Sequence, residues 1–140
     1  MSIEQLKQRY KEFAISVAEL IRELPVNSIN IPYCNQLIRS SSSSAANYRA
    51  ACRGKSTPDF INKLKIVEEE LDESIFFMEL LSQFNSDFKE KIIALINEGN
   101  ELLAITVQSI KTSRIKQKIN KWITGKQMSE FENQSLIRHS

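Results

Sequence analysis

Glycine and proline are scarce in this chain, with three of each among its 140 residues. Folds built from many short strands and tight turns depend on these residues, so their scarcity disfavours a β-sandwich or a turn-rich fold. Apolar runs are also short, and none approaches the ~18–20 residues that a membrane-spanning helix requires. The sequence therefore predicts a helical protein that is not membrane-bound.

Cysteine and histidine are rare as well, which limits the available chemistry. Cys34 and Cys52 are the two cysteines, and no secretory signal is recognisable, so we expect reduced thiols in a cytoplasmic protein. The one histidine, His139, lies near the end of the chain, so no Ser-His-Asp or Cys-His pair is evident. The glycines are isolated and form no phosphate-binding loop. The sequence thus predicts neither an enzyme nor a cofactor.

Apolar residues recur at helical spacing through most of the chain. In residues 2–24 they step alternately by three and four positions, as the buried stripe of a helix does, until Pro25 ends the pattern. Thr57 before Pro58 is predicted to cap a later helix. The same reasoning predicts helices at about 2–24, 31–52, 58–84 and 87–123, then a frayed polar tail at 124–140. We expect an all-α protein, an antiparallel up-and-down four-helix bundle forming a single domain over residues 1–123.

Five consecutive serines follow Arg39 and resemble a flexible linker in composition. The stretch contains no glycine or proline, however, and the helical spacing continues through it. An unpaired buried polar group costs roughly 1–3 kcal/mol, so serines inside a helix need polar partners. The carboxylates at positions 69–73 are the obvious candidates. We therefore expect an inward polar layer, whose members are Arg39, Ser40, Ser43, Asn47, Glu70 and Glu73.

Residues 31–81 also carry a family resemblance. Its motifs are Ile31-Pro-Tyr-Cys-Asn-Gln-Leu-Ile-Arg-Ser, Ser43, Ala46-Asn-Tyr-Arg, Ala51-Cys-Arg, Ser56-Thr-Pro-Asp-Phe-Ile-Asn-Lys-Leu, Glu69-Glu70, Asp72-Glu73 and Glu79-Leu-Leu. They resemble the four-helix-bundle proteins encoded in intervening sequences of bacterial large-subunit ribosomal RNA genes. Ser44, Ala50 and Phe77 depart from the family's usual Ile or Val, Glu and Trp. The resemblance implies a ring-like homo-oligomer, with a pentamer favoured.

The predicted fourth helix carries two apolar rows. They are Phe88, Ile92, Leu95, Gly99, Leu102 and Thr106, and Ile93, Ile96, Leu103, Val107 and Ile110. One interpretation is a single broad buried face, and the other is a core face beside a subunit interface. The family resemblance favours the interface.

Basic residues concentrate near the end of this helix, with no acid among them. They are Lys111, Arg114, Lys116, Lys118 and Lys121, followed by Lys126. Such a run could contact the phosphate backbone of a nucleic acid. The preference of bases for helix C-termini is the stronger explanation of the run.

Acidic residues concentrate at positions 68–73, which raises the question of a metal site. The Glu-x-x-His motif of di-iron bundles is absent, so salt bridges to Arg39 explain these acids better than metal ligation.

Two functional hypotheses follow from the sequence as a whole. One is a non-catalytic, self-assembling scaffold or interaction protein, and the alternative is an RNA- or DNA-binding accessory oligomer. In the alternative, a ring would multiply a weak basic patch by avidity.

Overall fold

Four α-helices, joined by short connections, make up the protein. They are α1 (Ile3–Glu23), α2 (Asn30–Ala51), α3 (Thr57–Phe84) and α4 (Lys89–His139), and a 3-10 turn at Ser86–Phe88 precedes α4. The structure, a computed structural model, describes residues 1–139, with side chains described for residues 1–134. All regular secondary structure in this range is helical, which confirms the predicted all-α class with four helices.

Short polar signals set where the helices begin. The Ser2 hydroxyl accepts the backbone N–H of Gln5 at 3.1 Å, and the Gln5 side chain accepts the backbone N–H of Ser2 at 2.9 Å. This reciprocal pair is a capping box that starts α1. At α3 the capping residue is Ser56, whose hydroxyl accepts the N–H of Asp59, so the prediction that Thr57 caps this helix is wrong. Ser56 has the extended backbone that an N-cap requires, whereas Thr57 is already helical.

The last helix differs most from expectation, because α4 continues to His139 and the sequence placed its end at 123. Gly125 is the one glycine after Gly99, and no proline follows Pro58. A single helical glycine costs only about 1 kcal/mol, which does not force a helix to stop. Ser140 lies outside the described residues, and the fraying expected of residues 124–140 stays a prediction. No helix, over its described residues, is long and apolar enough to cross a membrane.

The core lies where each helix turns its apolar stripe inward. On α1 the predicted stripe from Leu6 to Leu24 is buried, although Ile3 at its start is exposed. The largest fully buried aliphatic side chains of the other helices are Leu37, Leu64, Leu71, Met78, Leu81, Ile92 and Leu102. Gly99 allows α4 to approach its neighbours, because a Cβ there would lie 3.1 Å from Ile75 Cγ1 and 3.5 Å from Phe13 Cζ.

Side chains of Tyr10 and Arg9 join α1 to α4 and α2. The Tyr10 hydroxyl forms a hydrogen bond with the Thr106 hydroxyl, and its ring stacks on Tyr48 with centroids 4.5 Å apart. Burial raises the pKa of Tyr10 to about 12, so the phenol is neutral at ordinary pH. One residue earlier, Arg9 pairs with Glu98 and Glu101. These contacts fix the position of α4 along α1.

Two buried asparagines connect the ends of α2 and α3. The Asn30 side-chain amide donates to Asn85 Oδ1 at 2.8 Å, and the Asn85 amide donates back to Asn30 Oδ1 at 2.9 Å. Asn30 also donates to the Pro25 carbonyl, and Asn85 donates to the Leu81 carbonyl. Both side chains are therefore satisfied despite their burial, and the pair holds together the α1–α2 connection and the α3 terminus.

Replacing one member of this pair should destabilise the protein. We expect Asn85→Ala to lower the free energy of unfolding by about 2–3 kcal/mol, because it leaves the buried Asn30 Oδ1 without a donor and removes one of the two acceptors of the Asn30 amide. Chemical denaturation followed by circular dichroism measures the change. Asn97→Ala, at an exposed position on α4, serves as control and should be nearly neutral. If both variants lowered the free energy of unfolding equally, the asparagine pair would contribute no more to stability than an exposed asparagine.

Candidate functional site

The serine stretch is the middle of α2 and not a linker. Ser40, Ser41 and Ser44 are buried, and their hydroxyls donate to carbonyls one turn earlier in the same helix. Ser40 Oγ lies 2.8 Å from Ser74 Oγ on α3, and Ser74 Oγ also lies 2.8 Å from the Glu70 carbonyl oxygen. These small side chains let α2 and α3 pack closely while every hydroxyl has a partner. Ser74, which completes the contact, was not among the predicted members of the polar layer.

Arg39 lies at the rim of this contact, not inside it. Its guanidinium is 3.2 Å from Glu70 Oε2 and 2.5 Å from Glu73 Oε2, and its side chain is 48% exposed. The hydrogen bond to Glu73, with the neighbouring Glu70, raises the pKa of Arg39. The inward position predicted for Arg39 thus differs from the structure. A long basic side chain can pack its stem on the helix surface and keep its charge in water.

The other two predicted members of the layer form a separate local pair. Asn47 Nδ2 donates to the Ser43 carbonyl at 2.9 Å and to Ser43 Oγ at 3.1 Å. Both residues are half-buried. The structure therefore groups Arg39 with the two glutamates and Ser40 with Ser74, and it leaves Ser43 and Asn47 to satisfy each other within α2.

The acidic run on α3 divides between two sides of the helix. Glu70 and Glu73 face Arg39, whereas Glu68, Glu69 and Asp72 border a cleft between α3 and α4. The cleft has a volume of about 430 Å³, and Lys65, Leu103 and Val107 complete its lining. We refer to it as the acidic cleft. No group of three potential metal ligands was found among the residues that the structure describes.

A second cleft, between α1 and α2, is basic and was not anticipated from the sequence. Lys7, Lys11, Arg49 and Arg53 line it, and Glu4 at its edge pairs with Lys7 at 2.8 Å. Its volume is about 460 Å³. We refer to it as the basic cleft. The signal that could have found it is a base repeated four positions apart on each of two neighbouring helices, which places each pair on one face.

The predicted run of bases lies on the exposed C-terminal part of α4. The exposed members are Lys111, Arg114, Lys116, Lys118 and Lys121. Large apolar side chains are exposed among them, namely Ile115, Ile119, Trp122 and Ile123. Lys126 Nζ lies 5.1 Å from the centroid of the Trp122 ring, within the range of a cation–π contact. This part of the helix is therefore amphipathic although no other helix covers it.

An aromatic cluster is exposed where the first half of α2 meets the second half of α3. The Tyr33 ring lies 6.1 Å from that of Phe77 and 6.3 Å from that of Phe84, and Phe76 contacts Phe77 edge-on at 5.4 Å. Phe76 is 52% exposed and Phe84 is 55% exposed. The rings thus form a contiguous apolar surface.

The two apolar rows of α4 have different environments. Ile92, Gly99, Leu102 and Thr106 of the first row are buried. Most of the second row is not, since Ile93 is exposed and the next three members, Ile96, Leu103 and Val107, are half-buried. The first row is thus mostly buried, with Phe88 and Leu95 half-buried, and the second row is only partly covered by the chain itself.

The exposure of Arg39 leads to a modest expected effect on stability. Arg39→Ala should change the free energy of unfolding little, because solvent screens an exposed ion pair. Urea denaturation of the variant tests this, with Lys63→Ala on an exposed position of α3 as control. A loss of several kcal/mol relative to that control would instead place Arg39 in a buried layer.

Comparison with known proteins identifies the family. The family described as 23S rRNA-intervening sequence protein matches residues 4–108. A crystal structure of a protein with unknown function from the S23 ribosomal protein family of Bacteroides thetaiotaomicron is similar, with a TM-score of 0.68 and 29% sequence identity. That similarity covers 76% of this chain and 98% of the other. A search of curated proteins finds no match. The chain therefore belongs to the 23S rRNA-intervening sequence protein family.

Proposed function

We propose that this protein is a non-catalytic scaffold that assembles with copies of itself. The exposed aromatic cluster of Tyr33, Phe76, Phe77 and Phe84 carries this proposal. Contiguous apolar surface on a protein typically marks an interaction site, and aromatic residues are enriched at the centres of protein interfaces. Burial of apolar area contributes about 25 cal/mol per Å², so covering these rings would favour association.

The partly covered second row of α4 supports the same proposal. Ile93 is 42% exposed, and Ile96, Leu103 and Val107 are half-buried along the same helix.

The ion pairs of Arg9 and Arg39 have a role in holding the helices together. Arg9 pairs with two glutamates of α4, and Arg39 pairs with two of α3. A structural role thus accounts for these charged groups without a reaction.

The proposed scaffold unit is an antiparallel, up-and-down bundle. Glu23 at the end of α1 pairs with Lys91 at the start of α4, whereas Arg9 near the start of α1 pairs with Glu98 and Glu101. The order of these contacts favours opposite directions for the two helices. We further propose a ring-like homopentamer, which the family resemblance favours. A cytoplasmic location suits two cysteines that are both unpaired.

Charging the aromatic cluster should weaken assembly. We expect Phe76→Glu/Phe84→Glu to reduce the solution mass from a multiple of 16.1 kDa toward that of one chain, because like charges would oppose burial of the surface. Analytical ultracentrifugation measures the mass, and circular dichroism checks that helicity is retained. Ser16→Glu/Asn62→Glu adds the same charge at exposed positions of α1 and of the first half of α3, outside the cluster, and should leave the mass unchanged. A wild-type protein that is monomeric at every concentration would contradict the proposal.

Nucleic-acid binding is the second candidate function, and the basic cleft favours it. Lys7, Lys11, Arg49 and Arg53 converge on one concave surface, which suits contact with a phosphate backbone. The exposed bases of α4 from Lys111 to Lys121 provide a second positive surface. In an oligomer, several copies of these surfaces would act together, so weak individual contacts would add to an appreciable affinity.

Salt dependence separates the two functions. If nucleic acid binds in the basic cleft, affinity for single-stranded RNA should fall steeply between low and near-physiological salt, because binding releases counterions. Lys11→Gln/Arg53→Gln should reduce both the affinity and the steepness of its salt dependence. Lys63→Gln, also a lysine on an exposed surface, is the control. Filter binding or fluorescence anisotropy provides the measurement, and absence of binding at low salt would refute this function.

A further inference from the structure

The C-terminal part of α4 extends beyond the four-helix body. Among the side chains described on this helix, up to Gln134, Ser113 is the last that is buried. From Arg114 to Gln134 the side chains are exposed, apart from the half-buried Gln117. At a rise of 1.5 Å per residue, residues 114–139 span about 39 Å. We refer to this part of α4, residues 114–139, as the extension.

One side of the extension carries an apolar patch. Ile115, Ile119, Trp122 and Ile123 follow the spacing i, i+4, i+7 and i+8, which places them on one face of a helix. Their exposures are 57%, 51%, 65% and 41%. With 3.6 residues per turn, this face points away from the side on which Ser113 is buried. The four-helix body of the same chain therefore cannot cover the patch.

The surroundings of the patch define the partner that would fit it. Six bases lie between Lys111 and Lys126, and no acid lies among them. A complementary surface would combine an apolar floor with acidic edges, since opposite charges across an interface favour the correct partner. The acidic cleft has this combination, with Leu103 and Val107 below and three carboxylates against one base, Lys65, at its border. The basic cleft has the wrong sign of charge.

The two surfaces cannot meet within one chain. Leu103 and Val107 belong to α4 itself, and the helix continues without a break from them into the extension. A continuous helix cannot fold back onto its own preceding turns. An extension seated in an acidic cleft must therefore come from a second copy of the chain.

We propose that the apolar patch of the extension docks in the acidic cleft of another copy. Each chain then offers one extension and one cleft, so the contact joins two different surfaces. Such a heterologous contact closes into a ring when the rotation between copies allows, and otherwise continues as a filament. The proposal rests on the proposed self-assembly and names a contact through which it occurs.

The extension lies outside the part of the chain that the family shares. The family match ends at residue 108, before the patch begins. The match to the similar crystal structure covers 98% of that protein's chain but only 76% of this one. The acidic cleft, by contrast, lies within the matched region, on residues 65–107. The proposed contact thus joins an element outside the family match to a cleft inside it.

Two full-length variants test the contact separately. Ile119→Glu/Trp122→Glu alters the patch at exposed positions, and Glu69→Lys/Asp72→Lys reverses the charge of the cleft. Each should lower the solution mass relative to the wild type at the same concentration. Mixed together, the two variants should form a complex that neither forms alone, because the first retains an intact cleft and the second an intact patch. Light scattering after size-exclusion chromatography measures all four samples.

Matched controls and alternative outcomes keep the test decisive. Gln127→Glu/Gln134→Glu adds two acids to the extension outside the patch, and Asn62→Lys/Gln83→Lys adds two bases to α3 outside the cleft. Both controls should keep the wild-type mass. Variants that keep the wild-type mass would overturn the docking contact while leaving self-assembly intact, whereas a monomeric wild type would overturn both. If the patch variant instead lost RNA or anionic vesicle binding at unchanged mass, the occupant would be one of these and the proposal would be refuted.

Discussion

The close packing of α2 against α3 depends on hydroxyl groups that satisfy one another across the interface. Ser40 and Ser74 meet at 2.8 Å, and small side chains on either side keep the two backbones near each other. This approach brings Arg39 within reach of Glu70 and Glu73. It also brings Tyr33 of α2 to the phenylalanines of α3. The ion pairs and the exposed aromatic surface thus both depend on a contact made by serine.

Local patterns predicted the elements of this fold well. The stripe on α1 identified its buried side chains from Leu6 to Leu24, and the absence of glycine and proline identified the serine stretch as helix. Exposure was harder to predict, because Arg39 shares a helix with buried serines yet keeps its charge at the rim. Sequence spacing gives the face of a helix but not how far a long side chain reaches toward water. The end of α4 was missed for a similar reason, since the loss of an apolar pattern does not end a helix.

The clefts show why much of the candidate surface could not be predicted. The acidic run at 68–73 is visible in the sequence, but its division between Arg39 on one side and the cleft on the other depends on the neighbours of α3. The basic cleft needs two helices to meet, and neither helix is strongly basic alone. Surfaces of this kind arise from tertiary packing, because each helix supplies only part of the lining of a cleft. The charge separation they create gives one chain both a basic and an acidic cleft.

Gly99 affects the position of the distal part of α4. The absence of a side chain there sets how closely α4 lies against Ile75 and Phe13, and therefore sets the inclination of the whole helix. Because α4 is continuous, a change of its inclination at this glycine would also move the extension. Trp122 lies about 35 Å further along at 1.5 Å per residue, so a tilt of about 5° would displace it by roughly 3 Å. Gly99, the smallest residue in the core of α4, thereby influences the position of Trp122, the one tryptophan of the chain.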